Sequence, residues 1–456
     1  GQNIFMGRDT GFKMVSGSGN TAIGDSAMYH NMGSNNNTVI GSSAGYNIST
    51  AGSSIFIGVK AGYANRTGTG NVAIGYEAMG GTAGTQEGHG IAIGFRAMFE
   101  VEDGSSGIAI GNSALDHLVG GYTVGIGNSA GYYATGSFNT FVGMSAGQGG
   151  TTSAPYSSGQ YNTAMGYQAL DAFTTGNNNT AMGVSALGGV TSGIGNVGIG
   201  YYGNSRTTTG NYNISIGSEA YGFSTGERNI AIGYRAVMTG FTVSDNIAIG
   251  HSAMYAIGGG SYNFAFGTEA MYGHSSAGSA NNNIAMGYRS MYQVGKGSEN
   301  VAIGHGTGYQ MLSGSQNTYI GHEAGKYATG SSNTFVGYYS GYGINTSAPY
   351  ASGQYNTFVG WHTGKEFTTA SNLTLVGYKA GESLRTTINT VIIGNDAGRD
   401  ADVGDYTVLI GSYSGFNSTG ANNVTLGYAA GMDLTSGAQN TLIGSNAAQN
   451  ITTGAG

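Results

Sequence analysis

One short pattern of apolar and small residues repeats along the whole chain. Residues 162–170 read Asn-Thr-Ala-Met-Gly-Tyr-Gln-Ala-Leu, and residues 179–187 read Asn-Thr-Ala-Met-Gly-Val-Ser-Ala-Leu. With the glycine of each phrase counted as position 0, the phrase occurs 26 times between Gly7 and Gly444, and most successive glycines are 17 residues apart. A short fixed period predicts a stack of coils, in which each coil adds a layer rather than a separate core.

The residues just before position 0 alternate in a way that predicts a strand. Position −1 is a large apolar residue and position −3 is Thr, Val, Ile or Phe in every coil. Such a period of two, rich in β-branched residues, is typical of short β-strands. We therefore expect positions −1 and −3 to point together into the coil. The predicted core includes these residues of position −1: Ile23, Ile40, Ile74, Val142, Met165, Ile216, Ile303 and Ile443.

Position −2 then points to the opposite side of the strand, yet it is mostly apolar as well, with residues such as Phe141 and Phe335. A strand that is apolar on both faces is usually buried on both faces. We expect the second face to be covered by further copies of the chain, and a symmetric homo-oligomer is the simplest arrangement. Asn at position −4, in 19 of the 26 coils, marks a turn.

The pattern therefore predicts an all-β fold, a parallel β-solenoid or β-roll of about 26 coils that runs through residues 1–456 as one array. We expect each coil to hold two short strands. A second period of 194 residues lies over the first, because the only two prolines, Pro155 and Pro349, occur in matching loop insertions near 148–161 and 343–355. This longer period indicates a tandem duplication.

Composition narrows the chemistry. The 456 residues include 88 Gly and no Cys, only 8% of them are charged, and the formal net charge is −7. Without cysteine there are no disulfides or thiolate metal ligands. Without a cluster of Lys and Arg we expect no nucleic-acid partner. No apolar run is long enough for a transmembrane helix, so we expect no membrane insertion. No catalytic motif is recognisable, and we predict neither an enzyme nor a bound cofactor or metal.

Aromatic residues are the best candidates for contacts with a receptor. Long loops on repeat arrays often carry recognition, and the twin loops suggest contacts to a glycan or protein receptor. With the sole tryptophan, the candidate contact residues are Tyr156, Tyr161, Tyr350, Tyr355 and Trp361. Position +1 is aromatic in ten coils, for which packing between neighbouring coils is the favoured interpretation. His305 and His322 share position +1 on adjacent coils, but the sequence supplies no third metal ligand of the zinc type.

The repeated phrase resembles that of a known group of proteins. Residues 20–27, Asn-Thr-Ala-Ile-Gly-Asp-Ser-Ala, and residues 71–78, Asn-Val-Ala-Ile-Gly-Tyr-Glu-Ala, are similar to the head repeats of YadA-like trimeric adhesins and to the shaft repeats of phage tail fibres. The resemblance covers essentially the whole chain. It implies a left-handed β-roll, a homotrimer and an extracellular location, on a virion tail fibre or a cell surface.

The function that we expect is structural: an extracellular fibre shaft, first of a phage or viral tail fibre that mediates host attachment. A bacterial trimeric surface adhesin and a self-polymerising extracellular filament are alternatives. A monomeric solenoid that binds ice or a polymer is a further alternative, which would need a regular outward column of Thr. The Thr-rich column is position −3, which the alternation assigns to the interior, and this argues against it.

Overall fold

A computed structural model describes residues 1–81, 88–101, 106–150, 156–205, 208–223, 226–239, 243–273, 278–344 and 350–454. The loop insertions are therefore described only outside 151–155 and 345–349. The chain divides into two compact units, Gly1–Arg228 and Asn229–Gly456. Among the described residues there is no α-helix, so none that could span a membrane.

The described residues of each unit form thirteen three-residue strands that carry positions −3 to −1, plus one additional short strand. The strands of the first unit are β1 (Ile4–Met6), β2 (Thr21–Ile23), β3 (Thr38–Ile40), β4 (Ile55–Ile57), β5 (Val72–Ile74), β6 (Ile91–Ile93), β7 (Ile108–Ile110), β8 (Val124–Ile126), β9 (Thr140–Val142), β10 (Thr163–Met165), β11 (Thr180–Met182), β12 (Val197–Ile199), β13 (Ile214–Ile216) and the additional β14 (Tyr221–Phe223). Those of the second unit are β15 (Ile230–Ile232), the additional β16 (Val237–Thr239), β17 (Ile247–Ile249), β18 (Phe264–Phe266), β19 (Ile284–Met286), β20 (Val301–Ile303), β21 (Thr318–Ile320), β22 (Thr334–Val336), β23 (Thr357–Val359), β24 (Thr374–Val376), β25 (Val391–Ile393), β26 (Val408–Ile410), β27 (Val424–Leu426) and β28 (Thr441–Ile443).

Successive coils pair their strands in parallel and with equivalent positions opposite each other. Thr163 of β10 pairs with Thr180 of β11, and the same register holds from coil to coil within each unit. This confirms the predicted parallel β-solenoid. The expectation of two strands per coil is wrong for most coils, because the rest of each coil is formed by turns rather than by a second strand.

The interior of each coil is built from position −2, not from positions −1 and −3. Side chains such as Ala22, Phe56 and Phe141 are fully buried at position −2. They meet buried side chains of positions +3, +4 and +7, which the following turns carry back over the same side of the strand. The predicted alternation is thus confirmed, but the prediction that positions −1 and −3 point into the coil is wrong.

The predicted core residues accordingly lie on the outer side of the strands. Four of them are exposed and the other four are only partly buried. The exposed ones are Ile40, Met165, Ile216 and Ile443, and the partly buried ones are Ile23, Ile74, Val142 and Ile303. Period two fixes which residues share a face of a strand, but not which face the turns will cover.

Positions −2 and +4 share the volume of the interior between them. Where position −2 is alanine, position +4 is commonly Met or Leu, as in Ala164 with Leu170. Where position −2 is large, position +4 is commonly glycine: a Cβ on Gly147 would come within 2.1 Å of the Phe141 ring. Close packing of this kind leaves room for one large side chain at these two positions of a coil.

The glycine of position 0 is required both by backbone angle and by space. Gly24 has φ of 139°, a region that side-chain-bearing residues rarely adopt. A Cβ there would lie 2.5 Å from the carbonyl oxygen of Gly41 in the next coil. The absence of a side chain lets adjacent backbones stack directly at this corner.

Asn at position −4 ties each coil to its neighbours by buried hydrogen bonds. The Asn179 side chain donates from Nδ2 to Oδ1 of Asn162 and to the carbonyl of Gly193, and its Oδ1 accepts from the backbone N–H of Asn196. Because burial makes an unpaired amide costly, this ladder holds successive turns at a fixed position.

The shared interior volume leads to a test by exchange of two side chains. Phe141→Ala should lower the free energy of unfolding by about 3–5 kcal/mol, because it leaves a cavity. Gly147→Leu alone should also destabilise, because the new side chain meets the Phe141 ring. The double variant recreates the Ala164–Leu170 pairing and should recover much of the loss, as measured by chemical denaturation. A double variant no more stable than either single one would contradict the shared-volume rule.

Candidate functional site

The outer side of the parallel strands is a largely apolar face. We call it the outer face and define it as positions −3, −1 and +1 of successive coils. Its large side chains are substantially exposed in the single chain: Met165 at 45%, Tyr167 at 44% and Phe266 at 49%. Contiguous apolar surface of this kind is rare on a soluble monomer and usually marks an interface.

A continuous stack of rings runs along position +1 in the second unit. Tyr288, His305, His322, Tyr338, Trp361 and Tyr378 follow one another on successive coils. Their ring centroids are separated by 4.8–6.0 Å, and most pairs are nearly parallel. Packing between neighbouring coils, the favoured interpretation of the aromatic residues at position +1, is thus confirmed in this stretch.

The candidate receptor contacts fall into different surroundings, and the structure does not bring them together. Trp361 lies within the stack, between Tyr338 and Tyr378, which cover its ring faces. Tyr156 packs on His117 with ring centroids 4.6 Å apart, and Tyr350 is partly buried. By contrast, Tyr161 and Tyr355 are 54% and 63% exposed.

Tyr161 lines a polar cleft in the first unit. The cleft has a volume of about 440 Å³, and its lining residues are Ser158, Gln160, Tyr161, Thr175, Asn177 and Asn178. All six are uncharged. Tyr161 is the last ring of a stack that begins at Tyr122 and continues through Phe138, since Asn178 takes the equivalent place in the next coil. We call this site the Tyr161 cleft.

The second unit repeats the backbone of this cleft at the 194-residue offset. The Asn178 N–H donates to the Gln160 carbonyl at 3.0 Å, and the Asn372 N–H donates to the Gln354 carbonyl at the same distance. Tyr161 and Tyr355 have φ of 58° and 59°. The tandem duplication thus preserves an exposed tyrosine beside a glutamine and an asparagine.

A buried acidic group lies apart from the cleft, in the coil of β7. Asp116 is fully buried, and burial raises the pKa of its carboxyl, although Arg96 approaches to 3.7 Å and opposes the shift. Burial, with the nearby Asp116 charge, also raises the pKa of Tyr132 to about 12. The carboxylate of Glu100 lies 3.3 Å from the His117 ring. A carboxyl with a raised pKa can mark a functional site, but this one is enclosed by protein.

His305 and His322 do have an acidic neighbour, contrary to the expectation from sequence. Ligand atoms of His305, His322 and Glu323 all lie within 4.8 Å of one another. The two rings are parallel within 4° as members of the stack, and Glu323 accepts a hydrogen bond from Lys326 at 2.9 Å. Nitrogen lone pairs lie in the ring plane, so parallel rings do not converge on one ion. In this arrangement the two histidines belong to the ring stack, and Glu323 forms an ion pair with Lys326.

Comparisons of the chain with known proteins found no match. No protein-family model, no curated protein and no solved structure matches the chain.

The buried carboxyl predicts a pH-dependent stability. Because the pKa of Asp116 is raised in the folded chain, its contribution to stability is complete at acidic pH and is lost as pH rises through the folded pKa. Asp116→Asn should therefore raise the melting temperature at pH 7, and the difference from the parent chain should vanish below the ordinary pKa of aspartate. Thermal denaturation followed by circular dichroism across pH measures both effects.

Asp25 provides a control of opposite sign. Its pKa is lowered by a hydrogen bond from Arg8, so Asp25→Asn should reduce stability slightly at pH 7 and change nothing at acidic pH. Destabilisation by Asp116→Asn at neutral pH would mean that the Arg96 ion pair outweighs the burial of the charge.

Proposed function

We propose that this protein is a non-enzymatic extracellular fibre shaft, a homotrimer that forms part of a phage or viral tail fibre and mediates host attachment. The observation that carries the proposal is the outer face, an apolar surface that continues over successive coils within each unit.

The outer face supports self-association because it repeats along the strands. A second copy of the chain carries the same columns at the same spacing of about 4.8 Å, so apolar side chains can interdigitate coil by coil. In this proposal, the face that further copies of the chain cover carries positions −3 and −1 rather than position −2. The number three comes from the resemblance to trimeric adhesins and tail fibres.

A low charge and a repeated register suit a mechanical role. Successive coils within each unit are joined by strand hydrogen bonds, and many are also joined by the Asn ladder or by ring stacks. Local opening at such coils must break several columns together. A stiff spacer needs such cooperativity, and it needs no reactive group. Attachment to a bacterial surface, as in an adhesin, would use the same properties.

One observation favours a second candidate, a monomer that binds ice or a polymer through a flat face. Position −3 lies on the outer face, so the reason for setting this function aside is wrong. Thr180 and Thr334 are examples of its outward residues. However, only ten of the 26 coils have Thr there, and Ile, Val or Phe occupies the others. The mixed column suits apolar association better than a regular Thr array.

The homotrimer predicts a definite mass. Light scattering on a sizing column should give three times the chain mass of 46.1 kDa. Met165→Lys in the first unit and Phe266→Lys in the second should shift the mass toward that of one chain, because each places a charge in the apolar contact. Far-ultraviolet circular dichroism should stay unchanged, since both side chains lie outside the coil interior.

Thr50→Lys is the matched control, because Thr50 is exposed but lies outside the outer face. This variant should keep the parent mass. A parent chain that is monomeric would refute the trimer and favour the ice- or polymer-binding monomer, whereas growth without a fixed mass would favour a filament.

A further inference from the structure

We propose that the Tyr161 cleft is a binding site for one neutral pyranose ring, and that the surface around Tyr355 is a second copy of this site. The inference deepens the proposed attachment function, since it names the class of ligand on the host surface.

The aromatic wall of the cleft is available for stacking, unlike the rings inside the stack at position +1. Tyr161 stacks on Phe138 at 5.1 Å with the rings inclined by 2°. No ring follows it, because Asn178 has the equivalent position in the next coil. In the Tyr288–Tyr378 stack, by contrast, Trp361 has a ring on each adjacent coil. The apolar C–H face of a sugar ring can therefore stack on the uncovered face of the Tyr161 ring, whereas both faces of the Trp361 ring are covered.

The polar wall offers hydrogen-bond groups that the chain leaves unused. Gln160 and Asn178 are exposed, and their side chains make no hydrogen bond within the described part of the chain. Each amide presents donors and acceptors side by side, which matches vicinal sugar hydroxyls. Asn177 accepts from the Gln160 N–H at 2.7 Å and thereby fixes the backbone between the two walls.

The charge of the cleft selects among sugars. None of its six lining side chains is charged, and the chain as a whole carries a formal charge of −7. No cation is present in the lining to neutralise a carboxylate, so a uronic or sialic acid would bind less well than a neutral hexose. The volume of about 440 Å³ lies near the lower end of the range for small-ligand sites, which is large enough for one pyranose ring.

The duplicated surface supports a role beyond packing. The Gln354 N–H donates to Ser371 Oγ at 3.1 Å, as the Gln160 N–H does to Asn177. Tyr355 corresponds to Tyr161, but Ser332 stands at the position from which Phe138 stacks on Tyr161. Within the described part of the chain, no ring packs against Tyr355. The Tyr355 ring is therefore exposed without being part of a ring stack.

Saturation-transfer NMR on the 456-residue chain tests the site with a defined set of probes. The neutral probes are methyl glucoside, methyl galactoside, methyl mannoside and N-acetylglucosamine, and the charged probes are glucuronic acid and sialic acid. We expect transfer to at least one neutral probe and weaker transfer to the acids. Tyr161→Asn and Tyr355→Asn should each remove one of two sites, and the double variant should remove both. Asparagine is chosen because it tolerates the left-handed backbone at both positions.

Tyr122→Asn is the matched control, since Tyr122 is an exposed ring at the other end of the same stack and has the same backbone conformation. It should leave binding unchanged. The proposal is overturned if no neutral probe receives saturation, if only the acids do, or if the double variant binds as the parent does. A monomeric chain that still binds sugar would refute the trimer alone, and a trimer that binds none would refute this site alone.

Discussion

The structure depends on the direct stacking of equivalent backbone atoms from one coil to the next. At position 0 the backbones approach so closely that a single Cβ would overlap the carbonyl of the following coil, as at Gly24 and Gly41. Once this corner is fixed, the strand before it has one possible register, and equivalent residues must lie above one another. Each position of the repeat thereby becomes a column with its own environment.

Each of these columns stabilises the fold through a different kind of interaction. Position −4 supplies buried amide hydrogen bonds, positions −2 and +4 fill the interior with one large side chain between them, and position +1 supplies ring stacks. Because the strands cover only one of their two faces, the same geometry that completes the core leaves an apolar surface outside. Self-association would thus follow from the repeat itself and would need no separate interface.

Much of the fold could be predicted from the sequence, because a repeated phrase imposes a repeated structure. Which residues share a face of the strand could be predicted too. Which face points into the coil could not, since residues on both faces, such as Ile23 and Ala22, are apolar. The complementarity between position −2 and position +4 carried the missing information: Phe141 is accompanied by Gly147, and Ala164 by Leu170. When a large side chain at one position is always accompanied by a small one at the other, the two positions face each other in the interior. The Tyr161 cleft was only half predicted, because Asn178 and Gln160 become neighbours through the stacking of coils.

The register of strand pairing does not depend on the number of residues in a coil. Strands remain paired in the same way whether their phrases are 16 residues apart, as for Ile108 and Val124, or 23 apart, as for Thr140 and Thr163. Extra residues are therefore accommodated between the strands, and equivalent strand residues remain opposite each other in successive coils. The turns between strands thus tolerate a change in length, so sequence can be gained, lost or exchanged there over evolution, or grafted by design, while the strands stay in register.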